Sequence, residues 1–319
     1  MADTAAHQHA DNALEALRAR TTVVADSGDF ETIREFEPTD STTNPSLVLA
    51  ASRDARYRHL VDEAKNGTPA PGVTRAERLM TVFGRELTRV VPRYVSTEVD
   101  ARLSFDTGAT ISKARALLAD YDALGVGRER ILIKIASTWE GIRAASVLEA
   151  EGVACNMTLI FSLAQARVCF DAGATLISPF VGRITDWYKN ADGVEHYAPQ
   201  DDPGVKSVAR INAYAKTYGY NTQVMAASFR NRDQILALAG ADLMTISPAL
   251  LEELAGLDVS NASGLAGIAS NDPRVSLNRA GFSWAMNEDA MATEKLAEGI
   301  RKFAADQRTL EEELGIQAG

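Results

Sequence analysis

The sequence predicts an α/β protein built as one (β/α)8 barrel, the TIM-barrel architecture, with additional helices at both ends. Three observations carry this. Eight short apolar or β-branched runs recur along the 319 residues, segments of helical period lie between them, and several of those segments end in glycine. Strict βαβα alternation argues for a parallel sheet, and eight parallel strands close most naturally into a barrel. An open doubly wound sheet is the alternative, but the chain has no glycine fingerprint of that fold.

In chain order the strand runs are TTVVAD (21–26), DSTTNP (40–45), YVSTEVD (94–100), ILIKIAS (131–137), ACNMTLIF (154–161), TLISPFVG (175–182), TQVMAAS (222–228) and LMTISP (243–248). Between them ISKARALLADYDALG, TWEGIRAASVLEAEG, LAQARVCFDAG and RNRDQILALAGA have helical period. GVGR at 125–128 leads into a strand and so reads as a turn, not as a nucleotide loop. NGTPAPGVT (66–74) and the polar, aperiodic 257–278 stretch read as surface loops. The domain is expected to span 1–319, with an N-terminal extension or helix over 1–20 and a C-terminal helix over 286–319. The segment DAMATEKLAEGIRKFAADQRTLEEEL is amphipathic, and its charges are expected to form a solvated face.

Composition narrows the function classes. With 46% hydrophobic and 24% charged residues the chain is ordinary for a globular protein. Its 33 basic and 43 acidic residues give a net charge of −10. That surface disfavours nucleic acid and anionic membranes, while leaving room for a small anionic substrate at a local arginine pair. No stretch approaches the roughly 20 apolar residues of a membrane span, and the N-terminus has no signal-peptide pattern, so a cytoplasmic protein is expected. The two cysteines, Cys155 and Cys169, lack CxxC spacing, and His7, His9, His59 and His196 form no HxxxH or HExxH. Neither a disulfide framework nor a metal site is expected.

One residue resists the pattern. Lys134 sits in the middle of ILIKIA, a run that otherwise reads as a buried strand. Burying an unpaired ammonium is costly. Either a carboxylate pairs with it, or it is an unprotonated amine kept for attack on a carbonyl. Alternation places Ile131, Ile133 and Ile135 under the helices and Lys134 inside the barrel. The same test groups Asp26 with Val24, Glu98 with Ser96 and Asp100, Asn156 with Thr158, Ser178 with Phe180, and Ser228 with Arg230. These polar positions, with Asn44, lie at or near the C-terminal ends of their strands, where barrel active sites are built. An amine, carboxylates, hydroxyls, amides and arginines suit Schiff-base chemistry on a polyhydroxy carbonyl compound.

The motifs TTVVADSGDF, TTNPSL, STEVDARLSFDT, ILIKIASTWEGIRAA, CNMTLIFS, ISPFVGRITDWYK, AASFRN and KLAEGIRKFA, in this order, resemble those of the class I transaldolases of the pentose phosphate pathway, Schiff-base enzymes. The resemblance covers about residues 20–305. It implies a barrel, usually homodimeric, with no metal or organic cofactor. It also implies transfer of a dihydroxyacetone unit from sedoheptulose 7-phosphate to glyceraldehyde 3-phosphate, giving erythrose 4-phosphate and fructose 6-phosphate. It makes Lys134 the Schiff-base lysine and Asp26 the acid/base at the C4 hydroxyl. Glu98 and Thr158 become the pair that holds the water of carbinolamine chemistry. Asn44, Asn156 and Ser178 match groups that bind the dihydroxyacetone hydroxyls, and Arg183, Ser228 and Arg230 match a phosphate site. Phe180 stands where transaldolases carry phenylalanine and related aldolases tyrosine. The alternatives are a lyase resembling fructose 6-phosphate aldolase, which releases dihydroxyacetone, and a non-catalytic barrel that binds sugar phosphates.

Overall fold

The computed structural model describes residues 12–258, 264–265 and 269–315. Eight strands form a closed barrel in chain order: β1 (Thr22–Asp26), β2 (Asp40–Thr42), β3 (Val95–Glu98), β4 (Ile131–Ala136), β5 (Cys155–Ile160), β6 (Leu176–Pro179), β7 (Gln223–Ala226) and β8 (Leu243–Ile246). Every pairing is parallel, and β8 returns to β1. The expected barrel is therefore the observed one.

Alternation along β4 sorts its side chains as the sequence predicts. Ile131, Ile133 and Ile135 join the apolar core between barrel and helices, each burial worth about 1.5–3 kcal/mol. Leu132 faces the other way and meets Val24, Leu176, Met225 and Leu243 in an apolar layer that fills the barrel interior. Lys134 lies two residues further along the same face. Register aligns it with Glu98 on β3 and Asn156 on β5, so three polar side chains form one row above that layer.

The connecting helices begin and end on local signals. Asn44 caps the helix Pro45–Ser52, accepting from the Leu47 N–H, with Pro45 in the first turn. Thr74 and Glu77 form a capping box on Arg75–Thr88, and Ser162 and Gln165 form one on Leu163–Asp171. GVGR is a turn: it passes through a short 3-10 turn, Arg128–Arg130, into β4. Among the described residues of 257–278 there is neither helix nor strand, as expected of a loop, while 259–263 and 266–268 lie outside the described residues.

Extra helices stand at both ends, as expected. Residues 1–11 of the N-terminal extension lie outside the described residues; the helix there is Ala13–Arg18, with Leu14 and Leu17 buried. At the other end two helices stand, the second of them the expected C-terminal helix, and residues 316–319 lie outside the described residues. Arg279–Glu288 stops at Asp289, whose side chain caps the second helix, Ala290–Glu313. The charges of that second helix do not simply form a solvated face. Glu311 is buried and pairs with Arg102 at 2.5 Å, Glu313 pairs with Arg53 at 2.6 Å, Asp306 accepts from Ser46, and Glu294 accepts from Trp187 Nε1 at 2.7 Å. Partners on the barrel's loops and helices strap the C-terminal helix over the C-terminal mouth. Among the described residues no helix is long and apolar enough to cross a membrane.

Candidate active site

A cavity of about 240 Å³ opens at the C-terminal ends of the strands. Of the residues singled out in the sequence, Asp26, Asn44, Lys134, Thr158, Ser178, Phe180, Arg183, Ser228 and Arg230 line it. Glu98 and Asn156 do not; they stand behind the lining at the level of Lys134.

Lys134 is 5% exposed and Glu98 2%. The Lys134 Nζ lies 3.3 Å from Glu98 Oε2 and donates to the Thr43 carbonyl at 3.2 Å. The carboxylate partner that one reading of the sequence demanded is thus present, and the amine still faces the cavity. Burial pushes the proton affinity of Glu98 up, while Lys134 and then Arg183 draw it back down. A carboxyl raised in this way is suited to take the lysine's proton, which leaves both groups neutral and the nitrogen lone pair available. Thr158 Oγ1 is buried without a hydrogen-bond partner among the described residues, and Glu98 Oε2 has only the Lys134 amine beside it. A buried hydroxyl left without a partner is rare in protein interiors, and that of Thr158 borders the cavity.

Asn156 is fully engaged. Its amide donates to Ser96 Oγ at 3.0 Å and accepts from Ser178 Oγ at 2.6 Å. Ser178 lines the cavity, so the amide holds a cavity hydroxyl from behind. On the opposite side of the barrel, Asp26 ends β1, and its Oδ1 accepts from Thr42 Oγ1 at 2.8 Å. Thr42 Oγ1 is also 2.7 Å from Thr245 Oγ1. With its one proton given to Asp26, Thr42 accepts from Thr245. A relay of two hydroxyls therefore fixes one carboxylate oxygen and leaves the other toward the cavity.

At the rim, Arg183 comes from the first turn of the helix Gly182–Asp192. Its guanidinium lies 4.9 Å from the Phe180 ring and 5.5 Å from Phe303. Phe180 itself packs edge-on against Phe161 at 5.4 Å. Burial, then the charge of Arg230, lowers the pKa of Arg183. Two guanidinium groups close enough to feel each other form a site for a multiply charged anion.

Strand parity does not bring Ser228 and Arg230 here. Met225 already faces the interior, so simple alternation turns Ser228 outward. The strand ends at Ala226, and Ser228 takes φ +61°. That left-handed residue resets the direction and delivers Ser228 and Arg230 to the rim. The helix Gly182–Asp192 lies so close that a Cβ on Gly182 would sit 2.4 Å from the Ser228 carbonyl oxygen, which accepts the Gly182 N–H at 2.7 Å. Leu159 is a second left-handed residue, at φ +56°, where the register between β5 and β6 shifts. Its side chain reaches Gly299 of the C-terminal helix.

Sequence reading missed Thr42, Thr245, Ser247 and Phe303, all of which line the cavity. Thr245 and Ser247 alternate with apolar residues in LMTISP, so the inward signal was present. Thr42 likewise shares the face of Asn44. Nothing in the amphipathic pattern of the last helix points Phe303 at the cavity. Among the described residues no cluster of His, Cys, Asp and Glu forms a metal site.

The comparisons agree with this geometry. A family model described as transaldolase/fructose-6-phosphate aldolase matches residues 23–314. The chain is 54% identical over 311 residues to a transaldolase of Alteromonas mediterranea, covering 94% of this chain and 97% of that protein. It is 52% identical over 314 residues to a transaldolase of Chromohalobacter salexigens, covering 96% and 99%. To a transaldolase of Haemophilus influenzae it is 53% identical over 307 residues, covering 93% and 96%. With a buried amine and two carboxyls around one cavity on a closed barrel, and with this likeness along nearly its whole length, the chain belongs to the transaldolase/fructose-6-phosphate aldolase family.

Proposed function

We propose that the protein is a transaldolase that moves a dihydroxyacetone unit from sedoheptulose 7-phosphate to glyceraldehyde 3-phosphate through an imine on Lys134. The observation that carries this is Lys134 itself: a buried amine, 3.3 Å from Glu98, presented to a cavity that Asp26 also lines. Glu98 takes the amine's proton, and the freed nitrogen attacks the C2 carbonyl. The carbinolamine loses its hydroxyl as water, with the Glu98 carboxyl and the unpartnered Thr158 hydroxyl as the natural holders of that water. The protonated imine then draws electrons from the C3–C4 bond while Asp26 takes the C4 hydroxyl proton. Erythrose 4-phosphate leaves, and the three-carbon enamine stays on Lys134 until the second aldehyde arrives. Ser178, held by Asn156, and Asn44 are placed for the hydroxyls of the three-carbon unit, and Arg183, Ser228 and Arg230 for the phosphate.

The hydroxyl relay behind Asp26 gives a direct check on its role. Thr42→Val removes the donor to the carboxylate and the link to Thr245. A hydrogen bond to a charged group is worth about 1.5–3 kcal/mol, so kcat is expected to fall by roughly 10- to 100-fold. Borohydride trapping of the imine should persist, because Thr42 does not touch Lys134. Equal loss of trapping and turnover would contradict the assignment.

The family also contains aldolases, so the fate of the enamine decides between transfer and release. Phe180 is an apolar ring in the cavity wall and offers no proton to the enamine carbon. Phe180→Tyr adds a donor that can organise water or relay a proton. Release of free dihydroxyacetone from fructose 6-phosphate is expected to rise and transfer to erythrose 4-phosphate to fall, both measured side by side. A wild type that releases dihydroxyacetone as fast as it transfers it is a lyase instead. The same reading makes the whole chain one barrel domain, cytoplasmic and homodimeric. The rings of Phe105 and Trp284, 67% and 63% exposed, support the dimer as apolar surface for a second copy to cover.

A further inference from the structure

We infer that Asp186 is the positioning residue of the phosphate site, holding the guanidinium of Arg230 by one edge so that its other edge is presented to the substrate phosphate. The inference rests on the reading of Arg183 and Arg230 as phosphate ligands.

Asp186 lies one turn beyond Arg183 on the helix Gly182–Asp192, so both side chains leave the same face. Its Oδ2 accepts from Arg230 Nε at 3.0 Å and from Arg230 Nη2 at 2.8 Å. These two nitrogens form the side edge of the guanidinium. The end edge, Nη1 and Nη2, remains to pair with a phosphate in parallel hydrogen bonds. Its Nη1 lies 3.4 Å from Ser228 Oγ, a hydroxyl that lines the cavity. Asp186 thus occupies one edge and leaves the edge whose Nη1 reaches the cavity-lining Ser228.

Two further features bear on this half-exposed pair. Gly182 holds the helix against the Ser228–Arg230 loop, and a Cβ at Gly182 would come within 2.7 Å of Arg230 Cγ. The stem of Arg230 therefore lies across the first turn, which directs its head to Asp186 on the next. In addition, Arg183 and Arg230 are close enough that, after burial, the charge of Arg230 lowers the pKa of Arg183. The carboxylate of Asp186 offsets that repulsion at Arg230. An arginine with a long, rotamer-rich stem then enters binding already ordered, which lowers the entropic cost of gripping the phosphate.

The test is a double-mutant cycle read on KM and kcat separately. Wild type, Asp186→Asn, Arg230→Ala and the double variant are assayed with fructose 6-phosphate and with unphosphorylated fructose as donors. Asp186→Asn is expected to raise KM for the phosphorylated donor by about fivefold, near the upper range for a partly exposed pair, and to change kcat less. In the Arg230→Ala background the same substitution should change that KM by less than about twofold, because its partner is gone. Asp186→Glu, which keeps the carboxylate, should recover most of the loss and also serves if the asparagine variant does not fold. A lower KM in Asp186→Asn, or an equal effect with and without Arg230, overturns the positioning role. If Arg230→Ala separates the two donors and Asp186→Asn does not, only Asp186 is misassigned. If Arg230→Ala affects both donors equally, the phosphate site fails, and the role of Asp186 falls with it.

Discussion

Replacing Lys134 by methionine should abolish both turnover and imine trapping while leaving a folded barrel. Methionine keeps most of the apolar stem against the same neighbours, so little packing is lost. Loss of the covalent nucleophile removes the pathway itself, and a fall in kcat of at least about 10⁴-fold is expected. Glu98 then loses its cation. Its carboxyl is already pushed up by burial, so it accepts a proton in place of an unpaired buried charge. The fold should survive for that reason, as circular dichroism and thermal melting can verify. Full activity in Lys134→Met would refute the mechanism. An unfolded variant would shift the test to Lys134→Arg, which keeps a cation beside Glu98 but supplies no imine-forming amine.

Asp26→Ala is the second large effect, and it differs in kind. Imine formation needs Lys134 and its neighbour Glu98, which Asp26 does not touch. Cleavage needs a base at the C4 hydroxyl. Removing a positioned base costs typically 10²- to 10⁴-fold, so transfer should fall by about that much. The intact donor should then accumulate on Lys134, and borohydride should fix an uncleaved adduct that carries the whole six-carbon chain when fructose 6-phosphate is the donor. Mass spectrometry separates this from the three-carbon adduct. A three-carbon adduct formed at the wild-type rate would show that another group performs the cleavage.

How far these roles were legible depends on the kind of residue. Lys134 was legible because a charge breaks a β-branched run, and alternation alone gave its direction. The partner Glu98 was legible as a polar inward residue, but the pairing was not, because strand register is not written in either strand alone. Asn156 shows the reverse. Its inward direction was legible, yet its amide spends both ends on Ser96 and Ser178 and stands behind the lining. Ser228 and Arg230 reached the rim for a reason alternation does not contain. A single left-handed residue at 228 overrides the period of two. Leu159 is less legible still, since leucine in that conformation costs about 1–2 kcal/mol and local sequence gives no warning of it. Phe303 was hidden because amphipathicity tells which side of a helix is buried and not what it is buried against. The last helix reads as amphipathic with a solvated charged face, which leaves open what its apolar side covers, and Phe303 on it lies 5.8 Å from the Lys134 amine.

The most direct measurement of the central claim is the site of covalent capture. Wild-type protein is treated with fructose 6-phosphate and borohydride, digested, and its peptides are sequenced by mass spectrometry. A reduced dihydroxyacetone adduct is expected on Lys134, in the segment that follows Arg130, and no other lysine should carry it in a substrate-dependent way. An adduct on a different lysine, or none at all while transfer proceeds at full rate, would contradict the account.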